Sequence, residues 1–415
     1  MLSSRAQLRA VDEGVSQARS GWRPIVSVTG DISRTQTYNN TRSSPTSRYN
    51  TPYGASLDVV QPLFNATVSP AVARAENLVR AERYALLSAE QDVLQSVIIA
   101  YVGVLRDRAI LELNVNNERV LRRQMEATGD RFRVGEVTRT DVSQAEARLA
   151  QAIADRVQAE GNLAASRAVY RNVVGEPPVN LVVPSPLRDV PASGEEATAL
   201  AAGNNPDVRT AEFVAMAARD TVRSIEGELW PEFNLRGSLS ADEQAAGRDN
   251  HANAASITAE VNVPLYTAGS VAARIRSAKH TAQQRRLQMD EARRDAVELA
   301  TRSWELLETA RASLRALNTQ IEASQIALEG VQKEALVGSR TVLDVLNAEQ
   351  ELLNARVSQV VAQRDEVVAS YQLKAAVGAL TARELALPVQ LYDEERNYRS
   401  SRGKWWGNEI EGEGR

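Results

Sequence analysis

The chain has 415 residues, of which 43% are hydrophobic and only 5% aromatic, and it contains no cysteine. The lack of cysteine excludes disulfides and thiol chemistry, and a formal net charge of −4 without a basic stretch argues against a nucleic-acid partner. Because the sequence has no nucleophile–base set, phosphate loop or metal motif, we expect neither an enzyme nor a cofactor.

The region after the first helix, which stops at a Trp22 to Pro24 break, alternates between apolar and polar residues. Two strands with one apolar and one polar face are predicted on either side of a polar loop at about residues 34–52. At roughly ten residues each, they have the length and pattern of membrane-spanning β-strands whose polar face lines water. The apolar face comprises Val26, Val28, Gly30, Ile32, Ala55, Leu57 and Val59.

A very long helix follows the strands. From Ala71 to about Arg133 there is no proline, and Pro70 stands where a first helical turn accepts it. Gly135 suits the left-handed conformation that ends a helix, and the threonine after it can cap a second helix of about 40 residues. We therefore predict an antiparallel helical hairpin over residues 68–175, followed by a linker rich in Pro, Ala and Gly.

The whole pattern is then repeated. VGEVTRTDVSQAEARL, which starts at residue 134, returns as VGSRTVLDVLNAEQEL, which starts at residue 337, 203 positions later. Such a period indicates two tandem copies of one large module rather than a solenoid. We assign residues 1–203 and 204–415 to the two repeats, with strands at 24–64 and 231–266 (loop at 241–253), helical hairpins at 68–175 and 270–378, and a belt of 176–205 and 381–410.

Four strands cannot close a barrel, and open strand edges are not tolerated in lipid. Closure needs several chains: two would give eight strands and a nearly filled interior, and three would give twelve strands and a channel. Because alternation with one wet face is also ordinary in soluble antiparallel sheets, half-buried soluble hairpins remain the alternative interpretation.

The two ends of the chain carry further expectations. Residues 1–24 lack the apolar core of a signal peptide. In the second repeat the equivalent helix is preceded by Pro206, and the matching position in the first repeat falls before Met1. We therefore expect a trimmed or misassigned start with a signal segment upstream, and a disordered end at residues 411–415.

The two Val-Gly hairpin tips, the two strand pairs and the Pro-Leu-Phe/Tyr sequence before each long helix together resemble the TolC family of outer-membrane channels over essentially the whole chain. The resemblance implies a mainly α fold with a membrane β-barrel: a homotrimer with a twelve-stranded barrel in the Gram-negative outer membrane and a twelve-helix tunnel in the periplasm. It also implies a passive exit duct, whose partners are a periplasmic adaptor and an inner-membrane ABC or RND transporter. The tail at residues 392–407 resembles the type I protein secretion branch more than the drug-efflux branch.

The same resemblance implies a gate latch at the tips. Thr140 and Asp141 match positions that bind an arginine, here Arg340, and so link neighbouring helical hairpins. Ala335 stands where a latching tyrosine can occur, so we expect a looser gate in this chain. Such an ion pair is strong enough to hold a mobile tip and weak enough for a docking partner to undo.

A ring of carboxylates in the pore is the second implied feature. Asp344 matches a pore-facing acidic position, and three copies around an axis would attract cations. Asn347 stands where a second acidic ring can occur, so we expect weaker cation block. Helix capping and solvated surface are the alternative roles for the latch and ring residues.

The tips also carry apolar residues at a position expected to be exposed, which suggests a docking partner such as the hairpin of an adaptor. The glycines among them are explained by the turn itself. The predicted docking residues are Val134, Gly135, Val137, Val337, Gly338 and Thr341.

A periplasmic coiled-coil adaptor or scaffold without a membrane barrel is the competing function, because it would also have long helices. An adaptor typically has one helical hairpin flanked by small β domains. Two hairpins and two amphipathic strand pairs therefore favour the channel.

Overall fold

The computed structural model describes residues 1–41, 44–244 and 249–410. The predicted disorder of residues 411–415 therefore falls outside the described residues. In chain order the elements are α1 (Leu2–Ser20), β1 (Ile25–Ile32), β2 (Thr35–Thr41), β3 (Ser44–Asn50), β4 (Tyr53–Phe64), α2 (Val68–Arg133), α3 (Arg139–Val174), α4 (Gly194–Asn204), α5 (Pro206–Gly227), β5 (Glu232–Glu243), β6 (His251–Asn262), α6 (Ser270–Leu336), α7 (Val342–Ala376) and α8 (Arg396–Ser401).

These elements form two compact units, and each unit draws on both sequence repeats. We call them the strand unit and the tip unit. The long helices α2 and α6 contribute residues to both. The strand unit comprises Leu2–Leu86, Thr210–Asp290 and the residues from Tyr392 onward, and the tip unit comprises Met1, Leu87–Arg209 and Glu291–Leu391.

The strand unit contains an antiparallel four-stranded sheet in the order β1-β4-β5-β6. Its register aligns the predicted apolar residues across all four strands, which confirms the predicted faces. The opposite face is polar, and there the hydroxyls of Ser238 and Ser256 lie 2.8 Å apart. The two central apolar rows are Val28, Leu57, Leu239, Ala255 and Val26, Val59, Gly237, Ile257.

The prediction of a loop at residues 34–52 is wrong for most of that segment. β2 and β3 pair with each other as a separate antiparallel hairpin. The segment is polar throughout and lacks apolar alternation, so the periodicity that located the other strands gave no signal here. In the second repeat, residues 245–248 of the predicted 241–253 loop lie outside the described residues, and β5 and β6 extend into both ends of the predicted loop.

The last strand is also shorter than predicted. β6 ends at Asn262, so Val263 and Leu265 lie beyond it. Its partner β5 begins at Glu232, which pairs with Asn262, and the preceding Pro231 has no backbone N–H with which to continue the ladder. The equivalent Pro-Leu-Phe sequence of the first repeat remains within β4, because it continues to pair with β5 up to Phe64.

The helical predictions are confirmed. α2 has 66 residues and α6 has 67, and they are followed by α3 and α7 with 36 and 35 residues. These helices contain no proline after Pro70 in the first turn of α2, which allows such length, while the packing of partly apolar faces stabilises it. Among the described residues, no helix combines the length and the apolar character that crossing a membrane requires.

The core of the tip unit lies between α6, α7 and the residues around α4. Leu307 and Leu373 are fully buried in it, and Trp304 and Val190 pack against its edge. Most of the other members are small, which lets the helices approach closely. They are Ala197, Ala201, Ala296, Ala300, Ala369 and Ala376, with Val208 and Val377.

The predicted linker at 176–205 packs on α7 through a buried lysine. Lys374 is 5% exposed, and its Nζ donates to the backbone oxygen of Asp189 at 3.2 Å and to its carboxylate at 2.5 Å. The ammonium lowers the pKa of Asp189 through this hydrogen bond and its charge. The backbone N–H of Leu187 also donates to the Ser370 hydroxyl at 3.1 Å, so the linker is held at two points.

Gly175 and Gly378 end the shorter helices at equivalent positions, with φ of +91° and +81°. A Cβ added at Gly175 would meet nothing within 4 Å, whereas one at Gly378 would overlap the carbonyl oxygen of Asn204. We expect Gly175→Ala to cost about 1–2 kcal/mol, the usual penalty of left-handed backbone, and Gly378→Ala to cost more. Thermal unfolding followed by circular dichroism compares the variants, and equal losses would contradict the close approach at Gly378.

Candidate functional site

Both long helices end in the same hydrogen-bonded turn. In the first repeat Gly135, with φ of +83°, donates its N–H to Phe132, and the N–H of Glu136 donates to Arg131. The distances are 3.0 and 2.9 Å. This pair of bonds is a Schellman motif, which satisfies carbonyls that a helix end would otherwise leave unpaired.

The second repeat reproduces this turn. Gly338 has φ of +80° and donates to Ala335 at 3.2 Å, while Ser339 donates to Glu334 at 3.0 Å. The glycine is required in both copies because an L side chain disfavours positive φ. The Val-Gly part of the repeated motif is therefore a helix stop.

The remainder of the motif starts the returning helix. Thr138 Oγ1 accepts from the N–H of Asp141 at 3.3 Å, and Asp141 Oδ2 accepts from the Thr138 N–H and hydroxyl at 2.8 and 2.7 Å. Thr341 and Asp344 make the same three contacts at 3.2, 2.9 and 2.8 Å. Each pair is a capping box, and the three-residue spacing from threonine to aspartate in the repeat encodes it.

An ion pair crosses each turn, with the charges exchanged between the two copies. Arg131 Nε lies 3.1 Å from Glu136 Oε2 in the first tip, and Arg340 Nε lies 2.8 Å from Glu334 Oε2 in the second. Arg131 and Glu334 occupy equivalent positions, 203 residues apart. The two tips thus have the same backbone and opposite charge arrangements.

A small apolar cluster joins the two hairpins just behind the tips. Leu121, Ala152, Val342 and Leu346 are buried together, with Val137 and Leu149 packed against them. Beside this cluster, Arg148 Nη2 on α3 donates to Asn347 Oδ1 on α7 at 2.8 Å. α3 and α7 are therefore neighbours that are held by packing and by one cross-hairpin hydrogen bond.

Hydrogen bonds and neighbouring charges stabilise the ionised forms of Asp344 and Arg340 at the second tip. Hydrogen bonds from the Thr341 backbone and hydroxyl, with a smaller contribution from the charge of Arg340, lower the pKa of Asp344. Glu334, by its hydrogen bond and its charge, raises the pKa of Arg340. At neutral pH this tip therefore carries a fixed anion at Asp344 and a fixed cation at Arg340.

The structure brings only some of the predicted site residues together. Arg340 pairs with Glu334 of its own tip, Asp141 caps α3, and Thr140 is exposed. Asp344 caps α7. Within one chain Arg340 and Asp141 therefore have local partners, and both aspartates take the alternative role of helix caps.

The predicted docking residues differ in exposure. Val134 and Val337 are 72% and 80% exposed, and the adjacent Leu336 is 84% exposed although it was not predicted. The prediction that Val137 is exposed is wrong, because it is half-buried against the cluster behind the tips. Glu334 was also missed, although its equivalence to Arg131 in the repeat was a usable signal.

The same fold occurs in solved structures. The outer membrane protein VceC from Vibrio cholerae aligns with a TM-score of 0.80 at 19% identity, over 91% of this chain and 92% of VceC. A duplicated helical hairpin joined to an amphipathic antiparallel sheet is the architecture of the TolC-like class, and the predicted fold class is confirmed at this level.

The model of the outer membrane efflux protein family matches residues 1–176 and 198–379, and the chain belongs to this family. Outer membrane efflux protein BepC of Brucella suis is 38% identical over 407 residues, which cover 98% of this chain and 88% of BepC. Outer membrane protein TolC of Vibrio cholerae is 26% identical over 396 residues, which cover 93% and 89% of the two proteins. The resemblance and the outer-membrane location are thus confirmed.

Because the pKa of Asp344 is lowered from 3.8 in the folded tip, the folded state binds fewer protons there than the unfolded state. Its capping contribution is therefore complete above about pH 4 and is lost as the pH falls through the lower folded value. We expect amide-exchange protection at the start of α7, corrected for the intrinsic rate, to be constant from neutral pH to about pH 4 and to fall below it. Asp344→Asn should be less protected at neutral pH and should lack the fall below about pH 4. Wild-type protection that does not change with pH would contradict the capping role.

Proposed function

We propose that three copies of this chain form a homotrimeric channel in the outer membrane, which serves as the passive exit duct of a tripartite exporter. Each copy contributes four strands to a twelve-stranded barrel and four long helices to a twelve-helix periplasmic tunnel. The register of the sheet carries the proposal, because it gathers apolar rows on one face and hydroxyls on the other. Such a sheet suits lipid outside and water inside.

The edges of the sheet support the number of copies. Within the part of the chain that the structure describes, β1 and β6 each pair along one side only. Unpaired backbone groups are costly in lipid, and β6 of one copy beside β1 of the next satisfies both edges. Eight strands from two copies would be filled by side chains, whereas twelve from three leave room for a channel.

The tips supply the closure of this duct. Both contacts from Thr138 to Asp141 are accepted by Oδ2, which leaves the other carboxylate oxygen for a second donor. In the proposed latch Arg340 binds Asp141 and Thr140 of a neighbouring hairpin instead of Glu334. Because exposed ion pairs are individually weak, a docking partner can reverse this exchange.

The expected partners are inferred from the exposed tip residues and from the passive character of the tunnel. Val134, Val337 and the neighbouring turn residues form an exposed apolar tip, which we assign to a periplasmic adaptor. Residues 176–205 and the first part of 381–410 are assigned to a belt around the hairpins, supported for 176–205 by the attachment of Asp189 to Lys374. The residues from Tyr392 onward belong to the strand unit instead. A passive tunnel need not recognise its cargo, so an inner-membrane ABC or RND transporter selects between protein secretion and small-molecule efflux.

We expect Arg340→Ser to raise single-channel conductance in planar bilayers, because it removes the latch. Asp141→Ala should do the same, and the double variant should exceed neither single variant, since both remove one interaction. Glu334→Ala is the matched control. It removes the ion pair between Arg340 and Glu334 within the tip but leaves the latch between Arg340 and Asp141 intact, so conductance should not rise. Unchanged conductance in Arg340→Ser and Asp141→Ala would contradict the latch. Arg340 would then serve only the turn, and Asp141 only the cap of α3.

The same preparation tests the channel itself. The wild-type protein should be a trimer that requires detergent and gives small, discrete conductance steps. A trimer that remains monodisperse without detergent and gives no conductance would contradict the channel and support the periplasmic adaptor or scaffold.

The proposed cation ring gives a separate result. We expect Asp344→Ala to reduce block by divalent or trivalent cations added from the tip side, because three converging carboxylates are lost. Asn347→Asp should strengthen the block by adding a second ring. Full block in Asp344→Ala would exclude this residue as the binding ring.

A further inference from the structure

The tryptophans of this chain are distributed unevenly. Of the five, only Trp304 packs against the apolar core of the tip unit. The other four belong to the strand unit and expose large apolar rings, which is unfavourable in water and marks a surface that contacts another phase or molecule. They are Trp22, Trp230, Trp405 and Trp406, which are 47%, 60%, 60% and 85% exposed.

Two of these tryptophans stand at one end of the four-stranded sheet. Trp22 lies just before β1 and Trp230 just before β5. β4 and β6 finish at this same end of the sheet, because neighbouring strands are antiparallel. Further exposed aromatic rings occur at or just beyond those strand ends, so aromatic residues mark all four strands at this edge. The set is Trp22, Phe64, Trp230, Phe233 and Tyr266.

The C-terminal tail brings two more indoles to this edge, although it belongs to no strand. Arg23, between Trp22 and β1, donates from Nη1 to the backbone oxygen of Lys404 at 2.8 Å. Its guanidinium lies 4.8 Å from the centre of the Trp405 ring. The tail is thus attached beside the start of β1, while Trp406 next to it remains almost fully exposed.

The preceding helix holds the tail in this position. α8 packs against α1 in the strand unit, and Asn397 Nδ2 donates to the carboxylate of the buried Asp12 at 2.9 Å. The N–H of Lys404 then donates to the Ser401 carbonyl at 3.0 Å, which turns the chain at the end of α8. The exposure of Trp406 is therefore the result of a folded segment with defined contacts.

We propose that residues 403–407 are a membrane anchor that places Trp405 and Trp406 in the phospholipid headgroup region beside the strand ends. The inference rests on the proposed function, because it requires that the sheet spans the membrane. Indole rings favour this region, where an apolar ring meets lipid and its N–H meets water and polar headgroups. Three cations lie in or beside this segment: Arg23 lies over the Trp405 ring, Arg402 lies over the Tyr398 ring, and Lys404 Nζ donates to the Glu409 backbone oxygen at 2.6 Å. These partners do not neutralise the cations, whose charge is complementary to lipid phosphates.

The position of the tail favours lipid, rather than a groove on another protein, as the partner of Trp405 and Trp406. The tail continues an aromatic row at strand ends, which is where aromatic girdles flank the apolar band of outer-membrane barrels. The cationic groups beside it have no role in an apolar protein pocket but match a surface of phosphates. A neighbouring copy or an adaptor would instead bury Trp406 away from lipid.

Fluorescence quenching by brominated phospholipids in reconstituted vesicles tests the anchor. In the full chain, with Trp22, Trp230, Trp304 and Trp405 replaced by phenylalanine, we expect Trp406 emission to lie at shorter wavelength than in water. It should lose more intensity to bromine near the headgroup than to bromine near the end of the acyl chain. A matched chain that retains only Trp304 should be quenched by neither lipid.

A third probe separates this inference from the proposed function. Ile257→Trp, in a chain whose native tryptophans are all replaced by phenylalanine, places one indole on the apolar face of β6 and should be quenched most by deep bromine. Quenching of this strand probe without quenching of Trp406 would overturn the anchor and leave the spanning sheet intact. Absence of quenching at the strand probe would overturn the spanning sheet. Each variant is first checked for the wild-type oligomeric state and circular dichroism.

Discussion

The reversal of each long helix within a few residues is the constraint on which the rest of the hairpin architecture depends. A helix end leaves carbonyls unpaired and a helix start leaves N–H groups unpaired, and at the tips both occur together. The Schellman turn at Gly135 and Gly338 satisfies the first set, and the threonine–aspartate box satisfies the second. Because both repeats turn in the same way, α3 and α7 lie side by side and share one apolar cluster.

Much of the fold could be predicted because its signals are local or periodic. Proline-free length, the turn glycines and strand alternation each act over a few residues, and the repeat showed them twice. The β2–β3 hairpin was missed because its polar residues leave only backbone pairing, which has no sequence period. The end of β6 was misplaced because it depends on where its partner β5 begins. The apolar alternation within β6 contains no information about that pairing.

The site was less predictable, because its contacts depend on neighbours distant in sequence. Motif spacing located Asp141 and Asp344 at the tips and left open the capping role that each carboxylate takes with the threonine three residues before it. The partner of Asn347 is Arg148, 199 residues away on another helix. Val137 appeared to be an exposed tip residue, yet the closeness of the two hairpins covers it.

The exchanged charges at the two tips make their helix ends unequal. A helix C-terminus carries partial negative charge, so Arg131 favours the end of α2, whereas Glu334 at the equivalent place disfavours the end of α6, where Lys333 is the one basic residue of the last turn. Arg340 offsets this repulsion while it remains on Glu334. Any partner that draws Arg340 away therefore also loosens the last turn of α6, so the second tip is built to fray when it changes partners and the first is not.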